Sequence, residues 1–557
     1  MKRQAAWGLL FLMLSINVWG QEKQKGEVNL IGGYGNVTPY AMRLKFNLEE
    51  GKFVFNPFIG VKGITHESSG QIQDEAYIFT GRMPLSETAG SRYFSHKATE
   101  ARGTLSDYGF QATYRPTPHQ TLGLGLCGEN ASRNEQGWLG EQLLNADGGQ
   151  LAKTQWRLES PKFSSTKWKV NAGYTFSFEH ADIGISYKYF RDYEETDQRM
   201  DLVRAEGFAD FSNSLATSDA TTQHHDVRLS FNHRAQWGDL RLVARYESQL
   251  MKSEDQQWLD QKLCLNSHFR HQYHTTAASF LYSVRPDKRK RLELTTGLEF
   301  AYTDMEGRKL HDYLPSAHIG WHVGKNVLLA LNYKRRLLRP SLSQLNPASI
   351  RDPFATRQGN NKLEGMHPSA LSLDFTHRLS LLQWHLCISH IFTNDAFNGI
   401  WKERNNHRYY QWGNEGKRRA WSIAPDFSIQ ASRSTRVEGK FVVIWDKRIA
   451  DAISLKEGNW GITSRLEVEQ ILPFNVQAKA FGEYSEGNKI DLYRHMGKSY
   501  ALGAKLAKRF GEHFQVRLQY QYNRFGNEIL TEGAYTGSYF LRSKHRNACT
   551  LALSYKF

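Results

Sequence analysis

From Phe514 to Asn523 the chain alternates without a break. Phe514, Val516, Leu518, Tyr520 and Tyr522 fall on one face, and Gln515, Arg517, Gln519, Gln521 and Asn523 on the other. In a strand successive side chains point to opposite faces. One face here is apolar enough for lipid and the other polar enough for water, which is the division a membrane-spanning barrel strand requires. The last strand repeats the pattern, with Cys549, Leu551, Leu553, Tyr555 and Phe557 set against Thr550, Ala552, Ser554 and Lys556. A weaker version runs from Val476 to Tyr484.

The start of the chain sets the compartment. Residues 1–21 combine Lys2-Arg3, an apolar stretch from Ala5 to Val18 and a small Gly20, the order expected of a cleaved export signal. No later stretch approaches the roughly 20 apolar residues that a membrane helix needs. An exported chain that stays in a membrane must then cross it with strands. A mean hydropathy of −0.59 does not oppose this, because only every second side chain of a barrel strand meets lipid. Cys127, Cys264, Cys387 and Cys549 stand far apart, with no spacing that suggests a zinc site or a disulfide scaffold. The formal charge of +16 is expected to lie on wetted loops and lumen walls, or to meet anionic lipid headgroups, an acidic solute or an acidic protein. Neither fold nor location supplies a base-reading surface, so nucleic acid is not expected as a partner.

Short turn-like breaks recur at 49–52, 116–119, 179–182, 236–239, 286–288, 322–325, 377–380, 433–436, 472–475 and 509–512. Between them lie variable polar segments at 66–103, 133–166, 194–221, 250–264, 339–364, 399–408 and 526–540. Alternating short and long connections match periplasmic turns and extracellular loops of an outer-membrane barrel. With a first strand near 27–36 and a last near 542–557, ten short turns predict 22 strands and place both termini on the periplasmic side. The reading is therefore all-β: a transmembrane antiparallel barrel over 27–557, preceded by a short periplasmic N-terminus at 22–26. A series of soluble sandwiches leaves the regular placing of the short turns unexplained, and no blade-length repeat speaks for a propeller.

No catalytic constellation stands out, and neither an enzyme nor a bound cofactor or metal is expected. His268, His271 and His274 are spaced by three, so His271 faces away from the other two. His268 and His274 then lie about 20 Å apart along the strand. Adjacent His224 and His225 point to opposite faces. Arg335, Arg336 and Arg339 approach the extracellular end of a strand and lead into the Pro-punctuated segment 340–353; they are expected at a solvated rim, within reach of lipopolysaccharide phosphates or an anionic solute. Lys288-Arg-Lys-Arg291 sits by a periplasmic turn, where inner-leaflet headgroups are plausible partners. Residues 405–410 read as a loop tip whose aromatic and basic side chains belong to an interfacial girdle or stack on a planar ligand.

The opening Gly26-Glu-Val-Asn-Leu-Ile-Gly-Gly-Tyr-Gly35 resembles the first barrel strand of the TonB-dependent outer-membrane receptors, most closely the type common in Bacteroidetes. Tyr333-Lys-Arg-Arg-Leu-Leu-Arg-Pro340, Leu345-Asn-Pro347, Asp352-Pro353 and Arg357-Gln-Gly-Asn360 with Leu363 resemble its mid-barrel signature. After Gly-Asn the chain has Asn361 and then Glu364-Gly-Met366 where that family often carries Pro and Lys-Pro-Glu, so its loop packing is expected to differ. The resemblance implies the same strand count and an outer-membrane location. It also implies a plug domain and a TonB-coupling segment, for which residues 22–26 leave no room, so TonB coupling is not expected to carry over. Barrels of this size are kept plugged. The lumen is therefore expected to be narrowed by inward-folded loops such as 66–103 and 133–166, or filled by a separate plugging or capping protein. Function then divides between a transport-related or assembly component of the outer membrane, a large passive diffusion channel, and the remnant of a split receptor.

Overall fold

The computed structural model describes residues 24–556 apart from 35–39, 76–91, 145–149, 208–210, 237, 287–290, 353–354, 405–406, 451–454, 489–493, 497, 525–526, 533–534 and 541–546. The export segment at 1–21 lies outside them. Twenty-two strands pair antiparallel, each with its neighbour in sequence order around the wall. The sheet closes where Gln24–Tyr34 meets Asn547–Lys556, with Val28 opposite Tyr555 and Ile31 opposite Ala552. The first strand begins at Gln24, inside the stretch expected to precede the barrel. Eight of the predicted short turns join successive wall strands, among them Gly51-Lys52, 324–326 and 511–513, and those at 236–239 and 286–288 fall partly outside the described residues, between strands that pair with one another. Among the described residues closure leaves no wall strand with an unpaired edge, which lipid would not tolerate.

The alternation in sequence becomes two faces of a wall. Leu518, Tyr520, Leu551 and Tyr555 point outward and are exposed, as are Leu122, Leu124, Ile183, Ile185, Leu371 and Leu373 on other strands. Their partners in the repeat line the lumen. Free thiols are recorded at Cys127, Cys264, Cys387 and Cys549.

The long polar segments differ from their prediction. Their described parts are mostly strand, and 66–75 with 92–103 and 133–144 with 150–166 continue the wall instead of folding inward, while 76–91 and 145–149 lie outside the described residues. Residues 66–75 pair in register with 92–101, and the strands Gln120–Leu144, Gln150–Ser177 and Ala181–Gly207 continue without interruption. A spanning strand needs only about 9–11 residues, so strands of 27 or 28 residues carry the wall far above the membrane on the extracellular side. Above the lipid the apolar face turns inward. In Gln150–Ser177 one extra residue at Ser160-Pro161, between the pairs Arg133/Phe163 and Glu135/Ser160, shifts the register. A one-residue bulge exchanges the two faces of a strand. Trp156 and Leu158, which would otherwise share the outward face of Tyr174, point into the lumen and pack with Met200, Phe211 and Leu259. The outer face there carries charge, with Arg157 opposite Asp201 and Glu159 opposite Arg199.

Candidate functional site

Among the described residues, the lumen is entered by residues 336–368, the connection between the wall strands Val327–Arg335 and Ser369–Arg378. Its sequence explains the inward course. Pro340, Pro347 and Pro368 restrict the backbone and remove donors. Leu342 and Leu345 share one side of a single helical turn, Leu342–Leu345, started at Ser341, whose backbone N–H donates to Gln344 Oε1 at 2.8 Å. Leu345 and Leu363 are fully buried against Met251, Phe269, Tyr273 and Met305 of the wall, with Phe397 and Trp412 packed alongside. Ile350–Asp352 and Ala355–Gln358 form a small hairpin that runs on, in parallel, to the strand His407–Gln430.

Polar ties fix the segment at both ends. Arg336 N–H donates to Pro368 O at 3.0 Å, and Leu338 and Met366 exchange two backbone hydrogen bonds of 2.9 Å. Arg339 lies with its guanidinium 5.1 Å from the Tyr273 ring centre and donates to Thr275 Oγ1 at 3.2 Å and to Thr303. Asn346 Nδ2 donates to the buried Asp255 at 2.7 Å. Asn360 Nδ2 donates to Trp412 O at 2.9 Å. His367 bridges two carboxylates, its Nε2 2.6 Å from Asp312 and its Nδ1 2.6 Å from Asp395. The hydrogen bond to Asp312, followed by that to Asp395, pushes the imidazole up to about 9, so it is cationic at neutral pH.

Elsewhere the lumen wall carries rows of paired polar groups. One joins Arg228 and Arg245 to the buried Asp226, and Arg245 on to Glu247, at 2.6–3.1 Å. A second crosses four neighbouring strands. Asn332 donates to Asp374 at 2.8 Å, and His385 stands between Asp374 at 3.2 Å and Asp426 at 2.9 Å. A mouth cavity of about 810 Å³ near the seam is lined by Glu27, Arg43, Lys45 and Lys556, with Arg43 paired to Asp107 at 2.8 Å. These surfaces suit a wetted lumen wall.

The residues singled out in the sequence divide as follows. His271 is buried on the lumen side, 3.1 Å from Glu306, whereas His268 is exposed and His274 stands 2.9 Å from Tyr246 on the outside. His224 meets Glu247 in the lumen and His225 meets Tyr187 outside. Of the three arginines expected at a rim, Arg339 turns inward and serves as an anchor of the lumen segment. Residues 287–290 and 405–406 lie outside the described residues; Tyr410 packs edge-on to Trp412, 5.7 Å between centres. Sequence reasoning missed His367, Asp312 and Asp395, which lie on three separated stretches with no motif in common.

A closed antiparallel wall of 22 strands, apolar on its belt and polar within, defines a transmembrane barrel of the Gram-negative outer membrane. The chain belongs to the outer membrane protein beta-barrel family, which it matches over residues 162–547. No curated protein matches it. Among solved structures it is similar to the ferric enterobactin receptor PfeA of Pseudomonas aeruginosa, in a G324V mutant, at 12% identity and a TM-score of 0.60, over 97% of this chain and 81% of that one. BauA, the ferric preacinetobactin receptor of Acinetobacter baumannii, is similar at 9% identity and 0.60, over 97% and 80%. The siderophore receptor PirA of Pseudomonas aeruginosa follows at 10% and 0.53, over 97% and 81%. At these identities the likeness is one of fold.

Proposed function

We propose that this chain is a transport-related component of the outer membrane, a conduit narrowed from outside by residues 336–368 and filled across the rest of its lumen by a separate plugging or capping protein. The carrying observation is the one-sided docking of that segment. Its named apolar contacts, Met251, Tyr273, Met305, Phe397 and Trp412, come from five of the 22 wall strands, and the same or adjacent strands present paired polar groups to the lumen around Asp226 and His385. Barrels of this width in nature are kept plugged. The similar solved barrels are receptors for ferric siderophores by their descriptions, which favours an uptake role without naming a solute for this chain.

The test is purification from native outer membranes in mild detergent. A stoichiometric second protein, whose removal turns closed barrels into steadily conducting ones in a planar bilayer, is the expected result. A second reading, a passive diffusion channel, draws on the same polar lumen rows. It requires native material without a partner that conducts from the start.

A further inference from the structure

On the outer face of the wall, four neighbouring strands bring together residues that lie far apart in sequence. Leu382–Arg404, His407–Gln430, Thr435–Ala450 and Leu455–Leu472 pair in that order. Their register sets His390 opposite Trp421, Trp421 opposite Trp445, and Trp445 opposite Trp460. The four rings make a row across the sheet, and His390 stacks on Trp421 with 4.1 Å between centres. Ile423, Phe441 and Ile462, exposed on the periplasmic side of this row, belong to the apolar belt. An aromatic row at such an edge marks the level of the lipid headgroups.

One step further toward the extracellular end, Arg419 stands directly opposite Lys447. Like charges placed opposite one another destabilise a sheet, and among the described residues no carboxylate pairs with either of them. Arg419 donates to Thr393 O at 2.9 Å, to Arg418 O at 3.0 Å and to Asn394 Oδ1 at 2.7 Å, and lies 5.8 Å from the Phe392 ring centre. Lys447 has no hydrogen bond or ion pair among the described residues. The inward neighbours behave in the opposite way, since Arg418 and Arg448 both pair with Asp446, at 2.9 and 3.4 Å. Glu486, outward on the strand Val476–Glu486 and opposite Ile462, is engaged by Tyr484 and Lys498. Two uncompensated cations above a tryptophan row at the outer-leaflet headgroup level are complementary to an anionic head carried on acyl chains. Guanidinium and ammonium groups are the usual partners of phosphate oxygens.

We propose that this face holds one phosphorylated glycolipid of the outer leaflet, with a phosphate between Arg419 and Lys447, the sugar over Trp421 and Trp445, and acyl chains along Ile423 and Ile462. The test measures lipopolysaccharide bound to the purified full-length barrel in detergent by native mass spectrometry. It compares wild type with the double variant Arg419→Gln/Lys447→Gln, and intact with enzymatically dephosphorylated lipopolysaccharide. The expected result is at least a tenfold loss of bound lipid for the double variant, the same loss for wild type given the dephosphorylated lipid, and no competition by inorganic phosphate at equal concentration. Equal retention of intact and dephosphorylated lipid by wild type overturns the proposal, and that arm needs no variant to fold. Displacement of the lipid by inorganic phosphate also overturns it, since the pair is then a free-anion site. Unchanged binding by a folded double variant does so as well.

Discussion

His367 is the hinge pin of the lumen segment, and its removal has a calculable effect. The imidazole is 20% exposed and contacts Asp312 and Asp395, both at 2.6 Å. Its pKa rises from 6.5 to about 9 when the segment is docked. A group whose pKa is raised by docking favours the docked form while it is protonated in both forms or in that form alone. The support is complete below the undocked value near 6.5 and disappears as pH rises through about 9. At about 1.36 kcal/mol per unit, the full contribution is about 3 kcal/mol, of which about 2.5 kcal/mol is lost between about pH 7 and pH 10. The assay is tryptic cleavage at Lys362, which is exposed next to the buried Leu363, with a reference peptide correcting for the protease's own pH response. When reclosing is faster than cleavage, the rate follows the open population, so cleavage should accelerate roughly seventy-fold over that interval. In His367→Gln the neutral side chain cannot titrate, and cleavage should be fast at pH 7 and flat to pH 10. A wild-type rate that stays flat, or a variant that keeps the wild-type pH response, refutes the reasoning.

Three further outcomes follow from the same geometry. Leu345→Ala removes a fully buried side chain from the apolar cluster and should weaken docking by about 2–5 kcal/mol, read as faster cleavage at Lys362 with the barrel still folded on a heat-modifiability gel. Gly359→Ala places a Cβ 2.2 Å from Asn346 O and 2.8 Å from its carbonyl carbon; the overpacking should cost about 1–3 kcal/mol and raise the same rate. Leu518→Arg, facing lipid in mid-strand, should lower the stability of the refolded barrel in vesicles by about 2–4 kcal/mol, whereas Gln519→Glu, in the lumen opposite Lys505, should shift it by less than about 0.5 kcal/mol.

The barrel was legible because its rule is local. A repeat such as Phe514–Asn523 declares its two faces within ten residues, and each short turn is visible in a few residues, so strand number follows from their order. What escaped depends on register or on distant contact. The bulge at Ser160-Pro161 adds one residue, yet it reverses the faces of Trp156 and Leu158. Without it the segment 133–166 looks like a polar loop. The mid-barrel signature was recognised around Tyr333–Leu363, but its role as the inward segment rests on wall residues such as Met251 and Met305, which nothing in that signature specifies. Arg339 looked like its rim neighbours because sequence does not show Tyr273 and Thr303 waiting inside. The tryptophan row needs Trp421, Trp445 and Trp460 set in register across three strands, and register is invisible until the sheet is assembled.

Residues 336–368 pack on the lumen side of the wall, and the proposed function requires the rest of the lumen to be passable. Single-channel conductance of the purified chain in a planar bilayer tests it, with and without replacement of residues 341–363 by a short Gly-Ser linker. Steady conductance is expected for the chain alone and a larger value for the deletion. Equal conductance in the two forms, or silence of a folded and inserted deletion variant, would contradict it.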